Sequence, residues 1–453
     1  MGRRNFILIF IISICTHIEG YGQHWKALGT GVYNNDGFIS VRFIFPDSTT
    51  NKLYVGGNFD HAGNIVTGGI ASWNGSKWDS LGQGVGGGYN EPILAITNYH
   101  GEIYAGGFIN TIMKWDGTKW DSIKGSPTGI LSFLDVFNNE LYAGFFDNSP
   151  ANMIAKWDGT KWIDLGFPYG GSFVACIAFY KGELYAGGTF QNNGITVNIA
   201  KLTGQTWNPV GNGIKGGLSG INSMTVFNGE LYVGGYFSKQ DGNAGTAIQK
   251  WNGNAWSEVG GSVTVPGGSV GQVFGLCVFR NELWAVGVFE YAGGVPTQYL
   301  AKWNGSEWCG LGSFISNNGI NSIASLRDTL YIGGPFKIID GDTVNYIAKW
   351  TGGNFVDTCS ISNGITEKII YDFEFSVYPN PASTMLRVKY NFIKKQKAQI
   401  ELYDVTGKRI KVIDLPANED ETEVSVETFK MGMYFYLIRN NSVVIGKGKV
   451  VIE

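Results

Sequence analysis

The sequence predicts an all-β protein, a seven-bladed β-propeller followed by a small β-sandwich, and three observations carry that prediction. A strand of the form Leu-Tyr-x-Gly-Gly recurs through the first three quarters of the chain. A tryptophan pair bracketing Asn-Gly, Asp-Gly or Thr-Gly follows each copy. A period of roughly 50 residues with strand chemistry inside every unit marks a radial array of small sheets.

The Gly-Gly strand appears first as Leu53-Tyr54-Val55-Gly56-Gly57 and again from Ile103, Leu141, Leu184, Leu231, Leu283 and Leu330, which gives the count of seven. The tryptophan pairs are Trp73/Trp78, Trp115/Trp120, Trp157/Trp162, Trp251/Trp256 and Trp303/Trp308, with altered copies at Leu202/Trp207 and Trp350/Phe355. Asn-Gly and Asp-Gly supply the positive-φ positions of a type I′ hairpin turn. On that turn Ala71 faces Trp78 and the two indoles lie diagonally on one face of the sheet. A buried Trp removes roughly 150 to 250 Å² from water, a gross gain of about 4 to 6 kcal/mol, so a plug of this kind in each unit cements neighbouring blades.

Each unit reads as four strands: an inner apolar run such as Gly220 to Phe227, the Gly-Gly strand, and one strand for each tryptophan. A recurrent glycine pair inside a strand implies close backbone approach. Trp25-Lys26-Ala27-Leu28-Gly29 copies the outermost strand with no unit before it. It is expected to pair with the last unit and close the ring, supplementing or replacing the weak strand around Phe355, which removes exposed strand edges.

These residues resemble the kelch and galactose-oxidase-like propellers, and the Gly-Gly-x-Phe and Ile-Ala-Lys-Trp stretches resemble the related delta-60 repeats. The resemblance covers residues 23–358. It implies the propeller fold and leaves the activity open, because such folds host unrelated functions.

Of 453 residues, 43% are hydrophobic, 16% are charged and 67 are glycine, as a turn-rich all-β protein requires. A formal charge of −3 gives no electrostatic reason to expect nucleic acid or an anionic membrane as partner. Residues 1–22 read as a secretory signal: Arg3 and Arg4, an apolar stretch from Phe6 to Cys15, then Gly20 and Gly22 ahead of a cleavage before Gln23. No transmembrane segment is expected in the mature chain, because that apolar stretch is short for a span. Among the remaining cysteines, Cys309 with Cys359 is the pair to test as a disulfide, while Cys176 and Cys277 read as small buried hydrophobes on inner strands.

The Gly and Trp repeat stops before Asp372, and residues 359–371 read as a linker. Residues 372–453 alternate apolar positions between turn pairs, the pattern of a small Ig-like β-sandwich. Four motifs stand in order: Val377-Tyr378-Pro379-Asn380-Pro381-Ala382, Leu402 to Lys408 with Gly407, Gly432 to Ile438 with Tyr434, and Gly446 to Glu453 with Lys447 and Lys449. Their order at the C-terminus resembles the type A sorting domain of the type IX secretion system of Bacteroidetes. The resemblance implies Sec export, passage across the outer membrane guided by this domain, and removal by a sortase-like protease in the linker. The protein is then secreted, at the cell surface or released. The secretion machinery and the protease are the implied partners, and the motif from Lys447 is the part implied to be read.

Catalytic constellations are scarce. His24, His61 and His100 are the histidines left after processing, and no His-x-x-x-His or Cys-x-x-Cys occurs. No metal or other cofactor is expected. Asp340-Gly341-Asp342 with Asn345 offers oxygens of the kind calcium takes, but an acidic turn is the simpler reading. Asp116-Gly117-Thr118-Lys119-Trp120 has the wrong serine and spacing for a sialidase-type turn.

Loop asymmetry points to function. Strands one to two and three to four close in tight turns on one face, and longer loops leave the other, where binding residues concentrate. The candidates on those loops are Asp60, His61 and Asn64; Gln191 and Asn192; Asp241, beside Lys239 and Gln240; Glu290 and Tyr291; and Asp340 and Asp342. The expected function is a binding or adhesion module for a glycan or protein ligand, without catalysis. The alternatives are a polysaccharide hydrolase or lyase using paired carboxylates among Asp60, Asp241, Glu290, Asp340 and Asp342, and a structural surface protein.

Overall fold

A computed structural model describes residues 25–35, 37–86, 91–146, 154–192, 195–216, 220–311, 316–351, 373–392, 398–404, 408–416, 420–440 and 443–453. The signal segment 1–22, the linker 359–371, His24, Phe355, Cys359 and Gly407 lie outside the described residues. The chain divides into two compact units, Met1–Ser360 and Ile361–Glu453.

In the first unit the described residues form seven main antiparallel sheets; six run through four strands in sequence order from an inner to an outer edge, and the seventh takes its outer strand from the start of the chain. Sheet 1 comprises Ser40–Asp47, Lys52–Asn58, Ile70–Trp73 and Trp78–Ser80. The inner strands of sheets 2 to 7 are Ile93–Tyr99, Leu131–Phe137, Gly170–Tyr180, Ile221–Phe227, Gln272–Phe279 and Ser322–Leu326. Each inner strand adjoins the next, and the last adjoins the first, so the sheets close a ring: a β-propeller. The outer strand of sheet 7 is Trp25–Ala27, with Trp25 opposite Trp350 and Ala27 opposite Ala348. The N-terminal strand thus closes the ring as its sequence implied.

The two tight connections of each sheet use different chemistry. Between strands one and two, both turn residues take positive φ at His100-Gly101, Asn138-Asn139, Lys181-Gly182, Asn228-Gly229 and Arg280-Asn281, as a type I′ turn requires. Between strands three and four the type I′ expectation fails. Trp73 stands opposite Trp78, and Ala71 opposite Ser80. The loop spans four residues because Asn74 Oδ1 accepts from the backbone N–H of Ser76 (3.1 Å) and Lys77 (3.0 Å), an Asx turn. Asp116, Asp158, Asn252 and Asn304 repeat the arrangement. The two indoles are therefore directly opposed, not diagonal, with ring centroids 5.2 Å apart in sheet 1.

The second indole of a pair also ties its sheet to the preceding one. Trp78, Trp120, Trp207, Trp256 and Trp308 donate through Nε1 to the carbonyls of Leu28, Leu81, Leu165, Val210 and Val259, at 2.7 to 3.1 Å. The Gly-Gly pair makes room in two directions. A Cβ on Gly234 would lie 2.5 Å from Val273 Cγ1 of the next inner strand, and one on Gly235 would lie 1.9 Å from the carbonyl oxygen of Gly220 in its own sheet. In sheet 6 the first position is Val286, and a glycine on the facing strand compensates: a Cβ on Gly275 would meet Val286 at 3.0 Å. Sheets 2 to 6 carry a Glu–Lys pair between strands two and three, Glu102–Lys114, Glu140–Lys156, Glu183–Lys201, Glu230–Lys250 and Glu282–Lys302. Cys309 is disulfide-bonded, while Cys176 and Cys277 are free.

The second unit is a two-sheet β-sandwich. One sheet holds Phe373–Tyr378, Met385–Phe392 and Glu421–Ser425; the other holds Ala398–Tyr403, Arg409–Leu415, Gly432–Asn440 and Val443–Ile452. Leu386, Val388, Ile400, Leu402, Ile438 and Val450 fill its core.

Candidate functional site

The long-loop face is built on small hairpins. Val32–Tyr33 pairs with His61–Ala62, which pairs with Ile65–Val66. Val263–Thr264 pairs with Tyr291–Ala292, which pairs with Val295–Pro296, and Ile338–Ile339 pairs with Asp342–Thr343. Of the residues singled out in the sequence, Asp60 and His61 meet directly, His61 Nδ1 lying 2.5 Å from Asp60 Oδ1. The imidazole stacks on Tyr33 with centroids 4.5 Å apart, and Asn35 donates to Asp60 from its backbone and side chain at 3.4 Å. Asn64 is exposed at the same hairpin tip.

The remaining candidates stand on separate loops. Gln191 is exposed on the fourth sheet, and the backbone of Asn192 pairs with Ile195; the Asn192 side chain lies outside the described residues. Asp241 ends the short 3-10 turn Lys239–Asp241, where Ser238 Oγ accepts from Gln240 N, and Lys239 pairs with Glu258. Glu290 and Tyr291 are half-buried neighbours, with the Glu290 backbone bonded to Thr264 and Thr297. Asp340 takes a φ of 52° and Asp342 is exposed. Asp60 and His61 are the candidates whose side chains are seen to meet, and among the described residues no group of three His, Cys, Asp or Glu is spaced to hold a metal ion.

This face also gathers apolar surface. Tyr33, Phe38, Val66, Phe108, Ile195, Val288 and Ile338 are exposed there, Ile195 to 70%. Among the described residues of the propeller, the other exposed large hydrophobics are Ile163, Val226 and Val278.

The sequence left the use of the axial channel open and did not show which residues line it. The inner strands of sheets 1 to 6 carry a β-bulge near their first residues, between Val41 and Phe43, Ile93 and Ala95, Leu131 and Phe133, Val174 and Cys176, Ile221 and Ser223, and Val273 and Gly275, while that of sheet 7 pairs in unbroken register. Bulges re-aim side chains. Here Arg42, Ser132, Ala175, Asn222, Phe274 and Asn321 line a cavity of about 440 Å³ bounded by the inner strands. Inner strands start at the long-loop end of each sheet, so this set of residues lies toward that face.

Neighbouring strands are stitched around the channel. Ser322 Oγ accepts from Ile44 N and Ser223 Oγ from Leu276 N, both at 3.1 Å. Ser132 Oγ donates to Val174 O (2.6 Å), Asn222 Nδ2 to Val273 O (2.9 Å) and Asn321 Nδ2 to Val41 O (3.1 Å). Further along the channel wall, burial pushes the Asp135 carboxyl up to about 7, offset in part by a hydrogen bond from Val136 N. Burial, and then the nearby Asp135 charge, push the Cys176 thiol well up. Burial likewise raises Cys277, whose Sγ lies 3.8 Å from Ser325 Oγ.

In the C-terminal unit the structure joins two motifs that the sequence separates by some 70 residues. Asn380 Oδ1 accepts from Val451 N (2.9 Å) and its Nδ2 donates to Lys449 O (3.2 Å). Flanking peptides Tyr378-Pro379 and Asn380-Pro381 are cis, and Ala382 bridges Ile452 in parallel. Gly432 takes a φ of 147°, and Tyr434 is buried with its hydroxyl donating to Lys430 O. Lys408 and Lys449 are exposed; Lys447 lies in the last strand, its side chain outside the described residues.

Residues 376–453 match the family described as the secretion system C-terminal sorting domain. No curated protein matches the chain. Among solved structures it is similar to YCF48 from Cyanidioschyzon merolae, at 12% identity over 72% of this chain and 98% of that chain, with a TM-score of 0.42. It is similar also to the WD40 β-propeller domain of Doa1, at 12% identity over 73% and 93%, with a TM-score of 0.34. BamB from Moraxella catarrhalis is a third, at 11% identity over 70% and 97%, with a TM-score of 0.33. No helix among the described residues is long and apolar enough to cross a membrane. The chain is thus a β-propeller joined to a type IX secretion sorting tail, a protein exported to the cell surface or the extracellular medium through the machinery that engages that tail.

Proposed function

We propose that this protein is a seven-bladed, kelch-related propeller that serves as a binding or adhesion module on the surface of a Bacteroidetes cell, recognising a glycan or a protein through its long-loop face without a covalent step. The observation that carries the reading is the concentration of exposed apolar side chains, with Val66 at 62% and Ile195 at 70%, on the face that also bears the hairpins. Exposed apolar side chains gathered at one end of a fold favour an interaction surface there. A sortase-like protease would free the propeller from its tail after export.

The hydrolase reading finds less support, because Asp60, Asp241, Glu290 and the Asp340/Asp342 hairpin stand on four separate loops. The test is a glycan and polysaccharide array probed with the intact protein, read for both retention and new reducing ends, beside a capture assay with surface proteins of neighbouring cells. Retention without product supports the module. Release of reducing ends overturns it.

A further inference from the structure

Arg42 is the side chain in the propeller whose surroundings ask for a ligand. It lies on the sheet 1 bulge and lines the channel. Its Nε donates to Asn58 Oδ1 at 3.1 Å and its guanidinium carbon lies 5.7 Å from the centre of the Phe38 ring. Among the described residues no carboxylate pairs with it. The group is exposed in area, yet the protein around it draws its pKa below the ordinary arginine value, with no opposing charge acting to raise it. A cation that water reaches but protein hems in belongs to a cleft mouth.

Among the described residues the channel lining offers no second cation. Its other titratable groups are Asp135, Cys176 and Cys277. Asp135 stands three positions beyond the bulge level of its own strand, about 10 Å along it, and Arg42 is not among the causes of its shift. One cation without a carboxylate partner matches a monoanion; a dianionic phosphate would leave a charge in excess. Guanidinium groups take carboxylates in paired hydrogen bonds. The channel lining also supplies amides at Asn222 and Asn321, a hydroxyl at Ser132 and the ring of Phe274. That mixture suits a hydroxyl-rich ligand with apolar C–H faces, and about 440 Å³ falls in the range of small-ligand sites.

We propose that the axial mouth of the propeller is a carboxylate-binding site for an acidic sugar, a uronate unit of a glycan, with Arg42 as its anion-binding residue. The proposal rests on the reading of the propeller as a binding module and names the part of a glycan that the channel takes.

The test uses the intact protein, titrated calorimetrically with a galacturonate trimer and with its methyl ester, which keeps the size and removes the charge. Arg42→Gln and Arg42→Lys are titrated alongside, after thermal melts establish that each is folded. The acid should bind and the ester should not compete. Arg42→Gln should weaken binding of the acid by about 10-fold or more, and Arg42→Lys by less. Should Arg42→Gln fail to fold, the lysine variant and the acid-to-ester ratio of the unaltered protein decide. Equal affinity for acid and ester overturns the site, as does an Arg42→Gln variant that binds the acid normally, or binding confined to peptides with a free C-terminal carboxylate. If neutral glycans are retained regardless of Arg42, the site fails and the binding module stands; if nothing in the arrays is retained, both fail.

Discussion

Trp78 and Leu28 are 50 residues apart in sequence, and the indole Nε1 of the first lies 2.7 Å from the carbonyl oxygen of the second. Leu28 directly follows the strand that completes sheet 7, so this bond joins the start of the chain to sheet 1 across the closure of the ring. Trp78→Phe removes this bond while Leu28 O keeps the one from Gly31 N (3.0 Å), at a cost of about 1 kcal/mol. Trp162 is the control, because its Nε1 is buried with no partner among the described residues, and Trp162→Phe should cost less. Chemical denaturation of both variants gives the comparison.

Two ion pairs of the same type should differ in weight. Lys302 bonds Glu282 at 2.8 Å with its side chain 5% exposed, whereas Lys201 and Glu183 are 34% and 31% exposed. Lys302→Ala removes a buried ammonium and leaves Glu282, 24% exposed, without it, and should destabilise by about 1 to 3 kcal/mol. Lys201→Ala should change stability by less than about 1 kcal/mol. Salt titration of the denaturation midpoints separates them further, since screening weakens the exposed pair more.

The glycine pair predicts a graded series. Gly234→Ala sets a methyl against a valine side chain that has some freedom to yield, and about 1 to 3 kcal/mol is expected. Gly235→Ala drives its methyl into a carbonyl of the same sheet, where only backbone movement relieves it, and should be the more damaging. Thermal melts of the two single variants rank them.

Asp135 gives the propeller a pH dependence of defined sign. Its folded carboxyl titrates at about 7, above the ordinary aspartate value near 4. Between those values the folded state holds a proton that the unfolded state has released, so stability contributed by this group is full at acid pH and is lost as pH rises toward and through 7. Asp135→Asn should flatten that part of the stability curve and gain most near pH 8. Denaturation midpoints from pH 5 to pH 8 measure it; a curve unchanged by the substitution refutes the assignment.

In the tail, Asn380→Ala removes both bonds to the last strand. About 1 to 2 kcal/mol of local stability should go, and the fraction of protein outside the cell should fall while the periplasmic fraction rises. Immunoblots of the separated fractions read this directly.

The ring and its closure were legible because strand periodicity, Gly-Gly spacing and the orphan strand at Trp25 are all local patterns. Asn74-Gly75 was misread because the same dipeptide serves two turns: what decides is the pair of N–H groups that Asn74 Oδ1 captures at Ser76 and Lys77. The bulges were hidden for a different reason. Which residue of Val41-Arg42-Phe43 is the extra one is fixed by pairing with Gly56 and Gly57 across the sheet, and alternation along one strand carries no trace of it. Asp135 did leave a trace: it is a charge inside Leu131–Phe137, at the position filled by Thr97, Thr225 and Cys277 in other inner strands, each opposite the aromatic of strand two.

Polar and apolar residues alternate around the axis at one level of the inner strands: Arg42, Ser132, Asn222 and Asn321 in sheets 1, 3, 5 and 7, and Leu94, Ala175 and Phe274 in sheets 2, 4 and 6. An alternating pattern closes on itself only when the number of members is even. With seven sheets described, two polar positions must fall side by side, and they do so at Asn321 and Arg42, beside the junction where the N-terminal strand completes the ring. A near-symmetric wheel thereby acquires a marked spoke, and anything entering along the axis meets a mouth that has an orientation.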